Sequence, residues 1–267
     1  MARWPVVALV GLLMLGWSTR PAAAADCQPG GVADLAARLA AGVTADTVFG
    51  LPRDEAAWVL YPVTRERALP ADYAPTDLVR TTAGGDSPQG PQLVRQLIVP
   101  DLQAMFAAAR DDGVSLGVLS AYRSYDAQAE LFRSGVAQQR ARGHDAAEAE
   151  ALANRFRALP GYSQHQLGTT LDLTSAEVGY GLGQRFGDSR AGQWVRARAW
   201  EFGFILPYTV ADEARTGYAP EPWHVRWVGR ELAAAMAADD YLDRDGLDAD
   251  DYLVALDTLL GAPAPSC

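Results

Sequence analysis

Helical and strand-like patterns do not alternate regularly along this chain, and this irregularity most constrains its fold. Helical patterns occupy 28–45, 99–112, 126–135, 140–159, 194–202 (closed by Gly203) and 230–260. Short strand-like runs occupy 114–119, 204–208 and 223–228. A doubly wound parallel sheet requires repeated strand–helix units, so the sequence favours an α+β fold.

Residues 46–95 are predicted to be irregular and to wrap around the rest of the chain. Prolines interrupt this segment repeatedly, at Pro52, Pro62, Pro70, Pro75, Pro88 and Pro91. It also contains large side chains that favour burial, Trp58, Tyr61 and Tyr73, so a flexible linker is not expected. We find no internal repeat or boundary, which predicts one domain over 26–267.

The N-terminal residues 1–25 have the pattern of a signal peptide. Arg3 precedes the uninterrupted apolar run Val6–Trp17, and Ala22–Ala25 offers small residues for cleavage. The run is too short to span a bilayer, which favours export over an uncleaved anchor. No other segment is apolar enough for a span. We therefore expect an exported protein, periplasmic or extracellular, with no stable membrane span once the signal is removed.

Cys27 and Cys267 lie at the two ends of the expected mature chain. In an exported protein, an even number of cysteines suggests a disulfide. This one would close a very long loop and constrain the unfolded chain strongly. Two free thiols are the alternative that the sequence leaves open.

The charge balance argues against one class of partner. The formal net charge is −10, whereas binding to nucleic-acid phosphates requires a basic face. Hydrophobic residues make up 49% of the chain, which is enough for a packed core. We expect no nucleic-acid partner, and we expect a monomer.

Two of the three histidines occur in patterns that suit a metal site. His165 is followed by Asp172 seven residues later, and His224 closes the sequence Glu221-Pro222-Trp223-His224. Two imidazoles and a carboxylate are a good donor set for zinc, and they leave one position open for water. The third histidine, His144, lies in an Arg- and Ala-rich stretch and is expected at the surface.

Glu221 and Arg123 are candidates for the accompanying chemistry. A carboxylate three residues before a ligand could accept a proton from water. Residues three apart in a regular strand face opposite sides, so Glu221 and His224 would need a turn or bulge at Pro222 to converge. Arg123 follows a predicted buried strand and could bind a carboxylate or a developing oxyanion. A structural ion pair with Asp126 is an equally open interpretation.

Asp243-Arg244-Asp245-Gly246 hints at a calcium loop. Counting back from Gly246, however, places Tyr241 at the first ligand position. Tyr252 falls where a bidentate Glu is required. We interpret the run as a solvated turn.

Several motifs in order resemble the VanY-type D-alanyl-D-alanine carboxypeptidases, zinc peptidases of the hedgehog/DD-peptidase fold. The resemblance covers about residues 58–235 and rests on Leu60-Tyr61-Pro62-Val63, Ser120-Ala121-Tyr122-Arg123-Ser124-Tyr125, Gly161-Tyr162-Ser163-Gln164-His165-Gln166-Leu167-Gly168, Asp172 and Glu221-Pro222-Trp223-His224. It implies a small antiparallel sheet flanked by helices. A C-terminal helical extension would occupy 236–267.

The resemblance also implies roles for individual residues. His165, Asp172 and His224 match the ligands of one Zn²⁺ ion, Glu221 matches the catalytic base, and Arg123 matches the arginine that stabilises the substrate and its oxyanion.

Ser163 and Gln128 match positions that line the peptide site. Thr170 departs from the family, which usually has Ala there, and a small hydroxyl should be tolerated. Ser163 as a nucleophile would need a separate base, and the nearby histidine is better explained as a ligand.

The implied reaction is hydrolysis of the terminal D-Ala of peptidoglycan stem peptides. Related proteins cleave an L,D bond or act as endopeptidases, and the sequence does not separate these specificities. A zinc-bearing peptidoglycan-binding module without catalysis is a further alternative. The presence of both Glu221 and Arg123 counts against it.

Overall fold

The computed structural model of the protein describes residues 32–81, 89–242 and 248–261. The predicted signal peptide (1–25), both cysteines and the Asp243–Gly246 turn lie outside these residues. Export and the Cys27–Cys267 disulfide therefore stay predictions. Within the described residues, no helix has the length and apolar character needed to cross a membrane.

The described chain contains short strands and mostly short helices. The strands are β1 (Thr47–Val48), β2 (Leu51–Pro52), β3 (Leu78–Thr81), β4 (Gln92–Arg95), β5 (Gly117–Ser120), β6 (Thr170–Thr174), β7 (Phe204–Ile205) and β8 (His224–Trp227). The helices are α1 (Val32–Leu39), α2 (Arg53–Val59), α3 (Val99–Asp111), α4 (Tyr125–Ala141), α5 (Ala146–Asn154), α6 (Gln184–Asp188), α7 (Arg190–Arg198), α8 (Glu213–Thr216), α9 (Arg230–Ala238) and α10 (Ala249–Leu260).

A four-stranded antiparallel sheet in the order β5–β6–β8–β7 forms the centre of the fold. Helices α1, α3, α9 and α10 contribute to one buried apolar cluster that also includes the core-facing side chains of this sheet. The predicted α+β class, with a small antiparallel sheet flanked by helices, is confirmed.

The side chains of strand β6 alternate between the apolar core and the opposite face of the sheet. Leu171 and Leu173 are fully buried in the apolar cluster, so Asp172 between them points to the other face. In the antiparallel register, Asp172 lies opposite His224 on β8 and opposite Ser120 on β5. The sheet therefore brings these three distant residues to one place.

The prediction that 46–95 is irregular was wrong in part. The segment contains helix α2 and two hairpins, β1–β2 and β3–β4. Strands of two to four residues are too short for an alternating pattern to be recognised in the sequence. Trp58, expected to be buried, is 43% exposed, and its indole stacks on the ring of Tyr73 at 4.6 Å.

Some helix ends also differ from the predicted ones. Helix α1 ends at Leu39 and a 3-10 turn follows, so the helix does not continue to residue 45. Helix α7 begins earlier than predicted, because the Ser189 hydroxyl accepts a hydrogen bond from the N–H of Gly192. A 3-10 turn covers Ala199–Phe202, and Gly203 ends it with φ of +85°, as predicted.

Gly168 joins the turn that contains His165 to strand β6. Its φ of +74° is left-handed, and its carbonyl accepts a hydrogen bond of 2.9 Å from the N–H of Arg95. A Cβ at this position would lie 2.9 Å from Cγ of Arg95 and 3.1 Å from Cδ2 of Leu78. Both backbone conformation and close packing therefore require glycine.

We expect Gly168→Ala to lower the free energy of unfolding by about 2–5 kcal/mol, through left-handed backbone strain and overpacking. Urea denaturation of the metal-free protein measures this change. Gly179→Ala is the matched control, since Gly179 has φ of +64° but an added Cβ there would meet no atom of the described residues within 4 Å. Equal losses in the two variants would contradict the packing argument.

Candidate metal centre and active site

His165, Asp172 and His224 converge on the face of the central sheet that points away from the apolar core. His165 lies in the 3-10 turn before β6, Asp172 lies in β6, and His224 begins β8. The distance from Asp172 Oδ2 to His165 Nε2 is 3.3 Å, and the distance from Asp172 Oδ1 to His224 Nδ1 is also 3.3 Å. All three residues are buried, and each offers a donor atom within 4.8 Å of the others.

The other nitrogen of each imidazole is hydrogen-bonded, which selects the nitrogen that is left for a ligand. His165 Nδ1 lies 2.7 Å from the carbonyl oxygen of Ala121, leaving Nε2 for the cluster. His224 Nε2 lies 3.2 Å from Oε1 of Gln164, leaving Nδ1. Metal-binding histidines typically donate their second N–H in this way, because that bond fixes the tautomer and the ring orientation.

The residues fit a bound divalent cation. Asp172 Oδ1 and His224 Nδ1 are buried, and neither has a hydrogen-bond partner among the described residues. Such atoms are rarely left unsatisfied, and here both face the centre of the cluster. Burial lowers the pKa of His224 to about 4, although Asp172 opposes this shift, so its imidazole is neutral and able to bind metal at neutral pH.

Glu221 lies beside this cluster because the chain turns between it and His224. The N–H of His224 donates to the carbonyl of Glu221 at 3.0 Å, so the turn that the sequence required at Pro222 is present. Oε2 of Glu221 is 3.4 Å from His224 Nδ1. Burial raises the pKa of Glu221 well above its usual value, Asp172 adds to this, and Arg123 opposes it. A raised pKa makes the carboxylate a better proton acceptor near neutral pH.

Arg123 is held in a fixed position near Asp172. Its Nη1 donates to Oε1 of Gln128 at 2.7 Å, and its Nη2 donates to Oγ of Ser120 at 3.0 Å. Gln128 is held in turn by the carbonyl of Ala158 at 2.6 Å. Nη2 of Arg123 lies 3.7 Å from Oδ2 of Asp172. The ion pair of Arg123 is therefore with Asp172 and not with Asp126, which was one interpretation of the sequence.

A cavity of about 550 Å³ opens onto this cluster. Polar groups, including Ser163, Arg123 and Glu221, lie among its lining residues. Apolar side chains also line it, and two of them, Phe156 and Leu182, are 54% and 43% exposed. A concave surface that combines apolar walls with a few fixed polar groups is typical of a binding site for a small ligand or peptide end.

The structure brings together all seven residues selected from the sequence: Arg123, Gln128, Ser163, His165, Asp172, Glu221 and His224. The Gln128 amide accepts a hydrogen bond from Arg123 and donates one to the Ala158 carbonyl, so it supports the guanidinium. His144 is not part of this site, and its Nδ1 lies 3.0 Å from Oε2 of Glu148. Sequence reasoning missed Gln164, although its position next to His165 was a usable signal.

Comparison with known proteins identifies relatives of this chain. A family model described as VanY: D-alanyl-D-alanine carboxypeptidase matches residues 91–230. YodJ of Bacillus subtilis (strain 168), which is named a putative carboxypeptidase, is 34% identical over 184 residues. That alignment covers 68% of this chain and 64% of YodJ, so the chain spans just under two thirds of this relative's length.

Two solved structures have similar folds and sequences. The LdcB LD-carboxypeptidase is 32% identical with a TM-score of 0.64, covering 76% of this chain and 89% of LdcB. The vancomycin-resistance D,D-pentapeptidase VanY from a VanB-type cassette, solved with Zn(II), is 33% identical with a TM-score of 0.61. That match covers 73% of this chain and 99% of VanY. With the family model spanning half of its length, this chain belongs to the VanY family of D-alanyl-D-alanine carboxypeptidases.

Proposed function

We propose that this protein is a zinc-dependent carboxypeptidase that removes the terminal D-Ala from peptidoglycan stem peptides. The observation that carries the proposal is the convergence of His165, Asp172 and His224, with Glu221 3.4 Å from one of them. Membership of the VanY family supports the D-alanyl-D-alanine specificity. The Zn(II) bound to the VanY pentapeptidase supports the choice of metal.

His165 Nε2, Asp172 and His224 Nδ1 would hold the ion, because these are the donor atoms that face one another in the cluster. When bound, zinc would make a water molecule more acidic and would polarise a carbonyl group. Three protein ligands leave the open coordination position that catalytic zinc sites have.

Glu221 is suited to move the proton during hydrolysis. Its carboxylate would accept a proton from the attacking water, whose oxygen forms the new bond to the scissile carbonyl carbon. As the C–N bond breaks, Glu221 would return that proton to the departing D-Ala nitrogen. The raised pKa of Glu221 suits both transfers, since the group must bind and release a proton near neutral pH.

Arg123 is suited to bind negative charge. Gln128 and Ser120 orient its guanidinium, so little reorganisation is needed when a substrate carboxylate or a developing oxyanion arrives. Ser163, which is buried and lines the cavity, is proposed to contact the peptide. Because stem peptides occur in the cell wall, the proposal agrees with the export predicted from residues 1–25.

Two other functions have specific points for or against them. The likeness to the LdcB LD-carboxypeptidase favours an L,D specificity as the second candidate. A zinc-bearing peptidoglycan-binding module would not need Glu221 and Arg123 beside the metal site, which makes it the weaker alternative.

Incubation of the zinc-loaded protein with a stem pentapeptide and a tetrapeptide, followed by mass spectrometry, tests the specificity. We expect the pentapeptide to lose one alanine and the tetrapeptide to stay intact. Chelation should abolish the cleavage, and added zinc should restore it. Cleavage of the tetrapeptide alone would indicate an L,D-carboxypeptidase. Absence of cleavage, with chelation lowering only the melting temperature, would indicate a binding module.

Glu221→Gln should lower kcat by about 10²–10⁴-fold, because it removes the proton acceptor while keeping the volume of the side chain. Zinc content, measured by mass spectrometry, should stay at that of the parent protein. Glu130→Gln is the matched control, since the Glu130 side chain is 77% exposed. Parental turnover in the Glu221→Gln variant would exclude Glu221 as the base.

A further inference from the structure

Helix α10 contributes a buried carboxyl group near the metal cluster, although the helix lies beyond the matched residues 91–230. Asp250, in the first turn of α10, is 8% exposed. The helix is firmly placed: Asp248 and Asp251 form a reciprocal capping box at its start, and Tyr252, Leu253 and Leu256 are fully buried.

Asp250 connects to the cluster through Gln164. The Nε2 atom of Gln164 donates a long hydrogen bond of 3.4 Å to Oδ1 of Asp250. The Oε1 atom of the same carboxamide lies 3.2 Å from Nε2 of His224. Gln164 is 1% exposed, so solvent offers its amide little alternative bonding. The three side chains therefore form a continuous hydrogen-bonded connection from α10 to a proposed zinc ligand.

The two ends of the Gln164 carboxamide are chemically different, which gives this series of hydrogen bonds a direction. The NH₂ end of Gln164 donates to the acceptor oxygen of Asp250, and this leaves the amide oxygen of Gln164 for His224. With Asp250 ionised, the reversed amide would place its oxygen against a carboxylate oxygen that has no proton to donate. Burial raises the pKa of Asp250 to about 8, but both protonation states keep an acceptor oxygen.

We propose that Asp250 is a positioning residue of the metal centre, which orients Gln164 so that His224 keeps its proton on Nε2 and presents Nδ1 to the ion. The inference rests on the proposed zinc site. It assigns to the C-terminal helix a direct part in preparing that site. Neighbouring polar groups of His-ligated metals commonly act in this way on the tautomer and the ring orientation.

Zinc affinity, measured by competition with a chromophoric chelator, tests whether the link from Asp250 through Gln164 to His224 supports the metal site. We expect Gln164→Leu to weaken zinc binding by about 10–100-fold and Asp250→Leu by about tenfold. The double variant should be no weaker than Gln164→Leu alone, because both changes remove one connected support. Asp250→Asn keeps an acceptor oxygen and should bind zinc nearly as well as the parent protein.

Leu256→Ala provides the control for a general loosening of α10. Leu256 is fully buried on the same helix, so its truncation should lower the melting temperature of the metal-free protein without weakening zinc binding. The inference is overturned if Leu256→Ala weakens zinc binding as much as Asp250→Leu, if the two leucine substitutions add in the double variant, or if all variants bind zinc like the parent. A parent protein that binds no zinc would overturn the proposed function, and the inference with it.

Discussion

The arrangement of the site depends on one buried carboxylate, that of Asp172. It lies between two imidazoles, 3.3 Å from a nitrogen of each, and 3.7 Å from a guanidinium nitrogen of Arg123. A buried charge is costly unless nearby groups compensate it. Although burial raises the pKa of Asp172, the neighbouring His165 lowers it below its usual value, so the group is ionised. A divalent cation at this position would be attracted by that charge and would satisfy the unpaired donor atoms around it.

The central sheet makes this arrangement compatible with a stable fold. Alternation along β6 places Leu171 and Leu173 in the apolar core while Asp172 faces the cavity, and the register with β8 places His224 beside it. The antiparallel pairing of β6 with β5, its other neighbour, places Ser120 opposite Asp172, where the Ser120 hydroxyl accepts a hydrogen bond from Arg123. The polar site therefore takes little from the apolar core, because each strand presents one face to the core and the other face to the site.

The sequence predicted much of this site and less of its surroundings. Residue types and spacing made the ligand set and the proton acceptor before Pro222 candidates and required a turn between Glu221 and His224, and the resemblance to the VanY-type family supplied the roles of these residues. The α+β class follows from the irregular order of patterns. The two small hairpins did not, since strands of two to four residues have no detectable period. The link between Gln164 and Asp250, 86 positions apart, depends on how α10 packs, and no local pattern reports that contact.

Crystallography of the zinc-loaded protein, with anomalous data collected on both sides of the zinc absorption edge, would identify the ion and the atoms that bind it. We expect one strong anomalous peak, from an ion bound by His165 Nε2, an oxygen of Asp172 and His224 Nδ1, at about 2.0–2.2 Å from each. An ion bound elsewhere, or bound to His224 through Nε2, would contradict this expectation.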